Sequence, residues 1–96
     1  MKTYHVTEKA NRDLIKIGHY TEQAWGRAQR KKYLKSIVAR FGWIAKNPLL
    51  GKTRDDIKSG YRSYQEGKHV VFYIIDGDAV HIIGVLHENM DSGRHL

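Results

Sequence analysis

The sequence predicts an α+β fold in which an N-terminal strand and an antiparallel helical hairpin pack on a small antiparallel β-sheet. Three observations predict it. Two apolar stripes follow one another, first Ala10, Leu14, Ile17 and Thr21, then Leu34, Ile37, Val38, Phe41, Ile44 and Ala45. Their spacing is that of two amphipathic helices. Gly26 alone separates the two segments, a join so short that the helices turn back on each other. Downstream, Asp76-Gly77 lies between two apolar runs, a strong local hairpin signal.

Taken in order, Tyr4 and Val6 alternate with the polar Thr3 and His5 and predict a short first strand. Thr7 supplies a hydroxyl that can cap a helix starting at Glu8, and Glu8 suits the positive end of the helix dipole. The first stripe carries this helix to about Trp25. Gly18 weakens it by about 1 kcal/mol relative to alanine, which points to close approach by a neighbouring element. The second helix runs from about Arg27 to Lys46 and stops at Asn47-Pro48, because the residue before a proline avoids the helical region. Leu49-Leu50-Gly51 is a turn with two apolar anchors, and Lys52 to Ser59 is a polar connector. Tyr61 and Tyr64 bracket a short strand, Glu66-Gly67 is a turn, and His69 to Ile75 and Ala79 to Leu86 are the arms of the hairpin. A turn centred on Asp76-Gly77 sets Tyr73 opposite Val80 and Val71 opposite Ile82, with Val70 opposite Ile83 and Phe72 opposite His81 on the other face. Both faces are then largely apolar. A sheet covered on one side only alternates cleanly, so a second cover is expected, either the ends of the chain or a partner.

The 96 residues make one domain, 1–96, with 41% hydrophobic residues including two Trp, six Tyr and two Phe for its core. Without cysteine there is no disulfide framework. No apolar run reaches the roughly 20 residues of a membrane span, and Met1-Lys2-Thr3-Tyr4 opens no apolar signal region. These features predict a soluble cytoplasmic protein with no membrane partner. The formal charge is +7, and between Trp25 and Pro48 the residues Arg27, Arg30, Lys31, Lys32, Lys35, Arg40 and Lys46 meet no acid. Arg27, Lys31 and Lys35 step by four and share one helix face, broadened by Arg30 and Lys32. Such a face fits an acidic partner, either nucleic acid or protein.

Most catalytic chemistry is excluded. The histidines His5, His19, His69, His81, His87 and His95 match no zinc spacing, and no metal or cofactor is expected. Gly51-Lys52-Thr53 lacks the preceding glycines of a phosphate loop, and Ser59, Ser63 and Ser92 sit in no nucleophile elbow. A metal-free nuclease would need a base, an acid and a cation. Arg62, Lys68, His69, Tyr73 and His87 all fall in the sheet region, but Lys68 projects from the opposite side of its strand to His69 and Tyr73.

The order of elements carries Trp25-Gly26 between the helices and Asn47-Pro48-Leu49-Leu50-Gly51 after them. There follow Asp56-Ile57-Lys58-Ser59-Gly60-Tyr61-Arg62, His69-Val70-Val71-Phe72-Tyr73 and Val85-Leu86-His87-Glu88-Asn89-Met90-Asp91. In these segments the chain resembles, from about Tyr4 to Leu96, the ParE-type toxins of bacterial type II toxin–antitoxin modules, within the RelE/ParE superfamily. The resemblance implies a toxin that is not an enzyme. Such toxins bind DNA gyrase, trap cleaved DNA and stop replication, and a cognate ParD-like antitoxin neutralises them. DNA would be met only indirectly, through gyrase or the antitoxin complex. One alternative is the ribosome-dependent mRNA endonuclease of the RelE type, with Arg62 and His87 as catalytic residues. The segment His69-Val70-Val71-Phe72-Tyr73 lacks the arginine of that branch at its start, and the ending Leu86-His87-Glu88-Asn89-Met90-Asp91 is ParE-like. A second alternative is a small basic nucleic-acid-binding module.

An antitoxin segment would supply the missing cover, as a helix in a groove or as an added strand. Candidates for that surface are Leu14, Ile17, Leu49, Leu50, Tyr61, Arg62, Tyr64 and Phe72, some of which must be ordinary core. Candidates for the target-binding surface are Arg27, Lys31, Lys35, His87, Met90, Asp91 and Arg94. The tail Met90 to His95 is expected to be polar and mobile.

Overall fold

A computed structural model describes residues 3–96. Strand β1 (Thr3–Val6) leads into helices α1 (Glu8–Trp25) and α2 (Arg27–Lys46), and a 3-10 turn over Pro48–Leu50 follows. The chain then forms β2 (Lys52–Thr53), β3 (Arg62–Glu66), β4 (His69–Asp76), β5 (Ala79–His87) and a last helical turn, α3 (Ser92–His95). Both long helices have the bounds that the apolar stripes predict. Thr7 caps α1, its hydroxyl oxygen accepting from the Ala10 N–H. Gly26 turns the chain at φ +93, a conformation that favours glycine. At Gly18 a Cβ would lie 3.0 Å from Arg30 Nε and 3.2 Å from Leu34 Cδ1, so the small residue lets α1 and α2 approach.

The sheet has the order β1-β5-β4-β3-β2. It is mixed, because β1 runs parallel to β5 while the other pairs are antiparallel. The expected polar connector thus contains a fifth, edge strand, with Lys52 opposite Ser63 and Thr53 opposite Arg62. The hairpin register also differs from expectation. Asp76 pairs with Ala79, so the two-residue loop is Gly77-Asp78. Gly77 has φ +61 and Asp78 does not have positive φ, the pattern of a type II′ turn, which places glycine at its first central position. Tyr73 therefore faces Ile82 rather than Val80. A bulge then leaves Ile83 unpaired, because the next pair is Phe72 with Gly84, and Val71 faces Val85 instead of Ile82.

The helical hairpin covers one face of the sheet. Ala10, Ile17, Ile37, Phe41 and Ile44 pack there on Val71, Tyr73, Val80, Ile82 and Val85. Val38, assigned to the stripe, is exposed. Where β1 ends, α1 takes over as the neighbour of β5. The Thr7 N–H and hydroxyl both donate to the Ile82 carbonyl at 3.1 and 3.0 Å, and the buried Asp13 carboxylate accepts from the Val85 N–H at 3.0 Å.

Part of the second face is covered by the chain itself. Arg54 lies 5.4 Å from the centre of the Phe72 ring and donates to Asp56 and Ser92. Leu96 reaches Gly84 so closely that a Cβ there would lie 2.5 Å from Leu96 Cδ2. The tail, expected to be mobile, is instead a capped turn, with Asp91 accepting from the Gly93 N–H. His81 lies half-buried on this second face, stacked on His5 and 3.3 Å from Asp76. No helix among the described residues is long and apolar enough to cross a membrane.

Candidate functional site

The sequence-derived residues separate into distinct places. Ile17 and Phe72 are only 7% and 2% exposed. As side chains of the core they offer no surface to a partner, because both point into the two packed faces of the sheet. Leu14 is half-buried against the same core. Tyr61 lies on the opposite face, beside Ile83 and Leu96.

Leu49, Leu50, Arg62 and Tyr64 come together. The Tyr73 hydroxyl is buried and donates to the Pro48 carbonyl at 2.7 Å. Arg62 donates to the Gly51 carbonyl at 3.0 Å and to the Leu49 carbonyl at 3.4 Å. Gly51 lies so close to the Tyr73 hydroxyl that no side chain fits there. The turn is thus fastened from below, and Leu49 and Leu50 project outward, 71% and 64% exposed. Tyr64 shares the Arg62 face of β3, two residues on, and its ring packs on Trp43 at 4.8 Å between centres. Arg40 lies 4.9 Å from both rings and pairs with Glu66 at 2.8 Å.

Arg62 and His87 do not form a catalytic pair. Arg62 faces Tyr73 and His87 faces His69, four residues apart on β4, which is roughly 13 Å at the rise of a strand. The Arg62 guanidinium is also committed to backbone carbonyls.

His87 belongs to a different cluster. The Tyr33 hydroxyl lies 2.6 Å from His69 Nδ1, and the His69 and His87 rings stand edge to face at 5.4 Å. The Lys68 N–H donates to the Tyr33 oxygen at 3.3 Å, and the Asn89 N–H donates to His87 Nδ1 at 3.1 Å. Burial is the main force holding the His69 imidazole below its ordinary value, and the nearby His87 charge adds to it against the pull of Glu88. Burial likewise raises the Tyr33 phenol. Tyr33 reaches the cluster because residue 67 has no side chain. Gly67 has φ +61, and a Cβ there would meet the Tyr33 hydroxyl at 2.9 Å. Beyond the cluster a groove of about 620 Å³ opens towards Tyr20, Trp25 and Gln29 at the corner of the helical hairpin.

The basic face is present on α2. Arg27, Lys31 and Lys35 are all exposed, with Arg27 and Arg30 drawn towards Glu22 at 3.8 and 3.2 Å. Met90, Asp91 and Arg94 are exposed at the far side of the sheet, so the seven residues considered for a target form no continuous patch. Tyr20, Tyr33 and Gln29 were not singled out by the sequence. The available signal was the pair His69 and His87, and the expected register, continued along the strand, would set His69 opposite Gly84. The two-residue shift at the turn and the one-residue bulge bring His87 there instead. Among the described residues no group of three or more metal-ligating side chains occurs.

This sequence and fold have counterparts in known proteins. Residues 4–92 match the family model of the ParE toxin of the type II toxin–antitoxin system, parDE. Toxin ParE1 of Caulobacter vibrioides is 40% identical over 96 residues, covering 100% of this chain and 99% of that protein. Toxin ParE1 of Mycobacterium tuberculosis is 33% identical over 94 residues, covering 97% and 96%. Among solved structures, the chromosomal ParDE system of P. aeruginosa superposes with a TM-score of 0.76 at 19% identity, over 91% of this chain and 95% of that one, a likeness of fold. The RelBE2 toxin–antitoxin complex of Mycobacterium tuberculosis superposes with a TM-score of 0.68 at 28% identity, over 90% and 96%. The chain belongs to the ParE toxin family of type II toxin–antitoxin systems.

Proposed function

We propose that this toxin acts in the cytoplasm by binding DNA gyrase and holding cleaved DNA, and that a ParD-like antitoxin neutralises it. It works by binding, not by catalysis. The observation that carries this reading is the separation of Arg62 from His87, which leaves the alternative ribonuclease without its paired groups. The antitoxin surface is the patch of Leu49, Leu50 and Tyr64 steadied by Arg62. Exposed leucines on a turn fastened by buried hydrogen bonds form a pre-organised apolar anchor, and pre-organisation lowers the entropy lost on binding. The basic face of Arg27, Lys31 and Lys35 meets the acidic target, and the chain's net charge of +7 favours such an encounter.

The test is a supercoiling reaction with purified gyrase, ATP and relaxed plasmid. Loss of supercoiling, with linear DNA recovered after detergent and protease and reversal by the antitoxin, is the expected result. Unchanged supercoiling with folded protein, together with messenger cut on translating ribosomes, would overturn it.

A further inference from the structure

The groove beside Tyr33, His69 and His87 belongs neither to the leucine patch nor to the basic face. Its hydrogen bonds set the proton positions on both imidazoles. The Asn89 N–H donates to His87 Nδ1, so the neutral ring carries its proton on Nε2. The Tyr33 hydroxyl has one proton to give, and His69 Nδ1 at 2.6 Å takes it in preference to the Glu66 carbonyl at 3.5 Å. The Lys68 N–H supplies the donor that the Tyr33 oxygen can still accept. His69 therefore also carries its proton on Nε2, a tautomer assigned from these partners. Among the described residues neither Nε2 has a protein partner. Among the described residues no buried side-chain nitrogen lacks a partner, so both Nε2–H groups open to solvent.

Two fixed N–H donors thus lie at one end of the groove, where the Lys68 backbone N–H meets Tyr33, while the Lys68 ammonium turns towards Glu88. Of the nearby carboxylates, Glu88 accepts from Gln65 at 2.6 Å and lies 3.9 Å from the Lys68 ammonium, and Arg40 holds Glu66. The other end is aromatic. Trp25 is 73% and Tyr20 67% exposed, and the Gln29 amide beside them can both donate and accept. N–H donors that suit an oxyanion and flat rings that suit a base lie in one groove of a size typical for small ligands.

We propose that this groove binds a nucleoside monophosphate unit, with its phosphate on the Nε2–H groups of His69 and His87 and its base stacked on Trp25 and Tyr20. The unit is either a free nucleotide or the phosphorylated end of a single strand. The proposal is independent of gyrase as the target, since it concerns binding of the nucleotide by this chain alone.

The full chain is titrated with 5′-AMP, adenosine, inorganic phosphate and a 5′-phosphorylated oligodeoxynucleotide. Tryptophan fluorescence and long-range imidazole nitrogen NMR are the readouts. AMP is expected to quench Trp25 and to shift Nε2 of both His69 and His87. Phosphate should shift the imidazoles without quenching, and adenosine should quench without shifting them. The Trp25→Ala variant, altered at an exposed position, should bind AMP about tenfold more weakly and keep its response to phosphate. The paired variant His69→Gln with His87→Gln should bind AMP no better than adenosine, and circular dichroism checks its fold. Tighter binding of the oligodeoxynucleotide than of AMP assigns the strand end, and equal binding assigns the free nucleotide. Folded wild-type chain that shows neither quenching nor imidazole shifts with AMP overturns the proposal. So does equal affinity of the wild-type chain for AMP and adenosine.

Discussion

Tyr73 holds the leucine turn from inside the core, because its hydroxyl is the donor to the Pro48 carbonyl. Tyr73→Phe keeps the ring and leaves that carbonyl unpaired, which should lower stability by about 1–3 kcal/mol in urea titrations. The same variant should weaken antitoxin binding through a loosened Leu49-Leu50 turn. A variant with wild-type stability would show that water replaces the bond without loss. His69 makes a second residue-scale expectation. Its imidazole binds a proton less readily in the folded chain than at the ordinary value of 6.5, chiefly through burial and then through the His87 charge. The resulting stabilisation is fully present above 6.5 and is lost as pH falls through the lower folded value. His69→Gln should therefore flatten the acid side of the stability profile measured in urea. Little of this was legible in residue types. A lone tyrosine on a basic helix and two histidines far apart in sequence become a cluster only when α2 crosses the sheet.

At the scale of elements, α3 illustrates what a short polar tail can do. Removal of the residues after Asp91 strips Ser92 from Arg54 and Leu96 from Gly84. The shortened chain should melt lower and expose apolar surface to a dye, because Phe72, Val70 and Leu86 lose their neighbours. It should also be less toxic while still binding antitoxin, whose proposed patch lies elsewhere. Full toxicity in growth assays would sink the assignment of the tail to the target. On α2, reversal of charge at Lys31 and Lys35 should leave the helical circular dichroism intact, since both side chains are exposed, and should weaken gyrase inhibition. Loss of helix in that double variant would mean that the face is not open. The helices were legible to their ends because Thr7, Gly26 and Asn47-Pro48 act locally. Strand β2 was not, since Lys52-Thr53 has no pattern of its own and is a strand only because Arg62 and Ser63 lie beside it.

For the whole molecule, charge and cover work together. A chain of +7 associating with an acidic antitoxin tail should do so at a rate that falls steeply as salt is raised, while the dissociation rate, set by the leucine patch, changes little. Stopped-flow association at several ionic strengths checks this, and a salt-independent on-rate would remove the electrostatic part of the reading. The doubly apolar hairpin suggested that the ends of the chain or a partner cover the second face, and Arg54, α3 and Leu96 occupy part of it. The sequence by itself determined the α+β class, both helices, the hairpin, the basic face and the family, because periodicity, caps and motif order are local properties of the chain. Only the tertiary structure decided that Ile17 and Phe72 are core, that Arg62 and His87 are apart, and that His69 and His87 are together. The placement of His87 depends on a turn register and a single bulged residue, and a shift of one residue in a strand moves each side chain to a different neighbour and face.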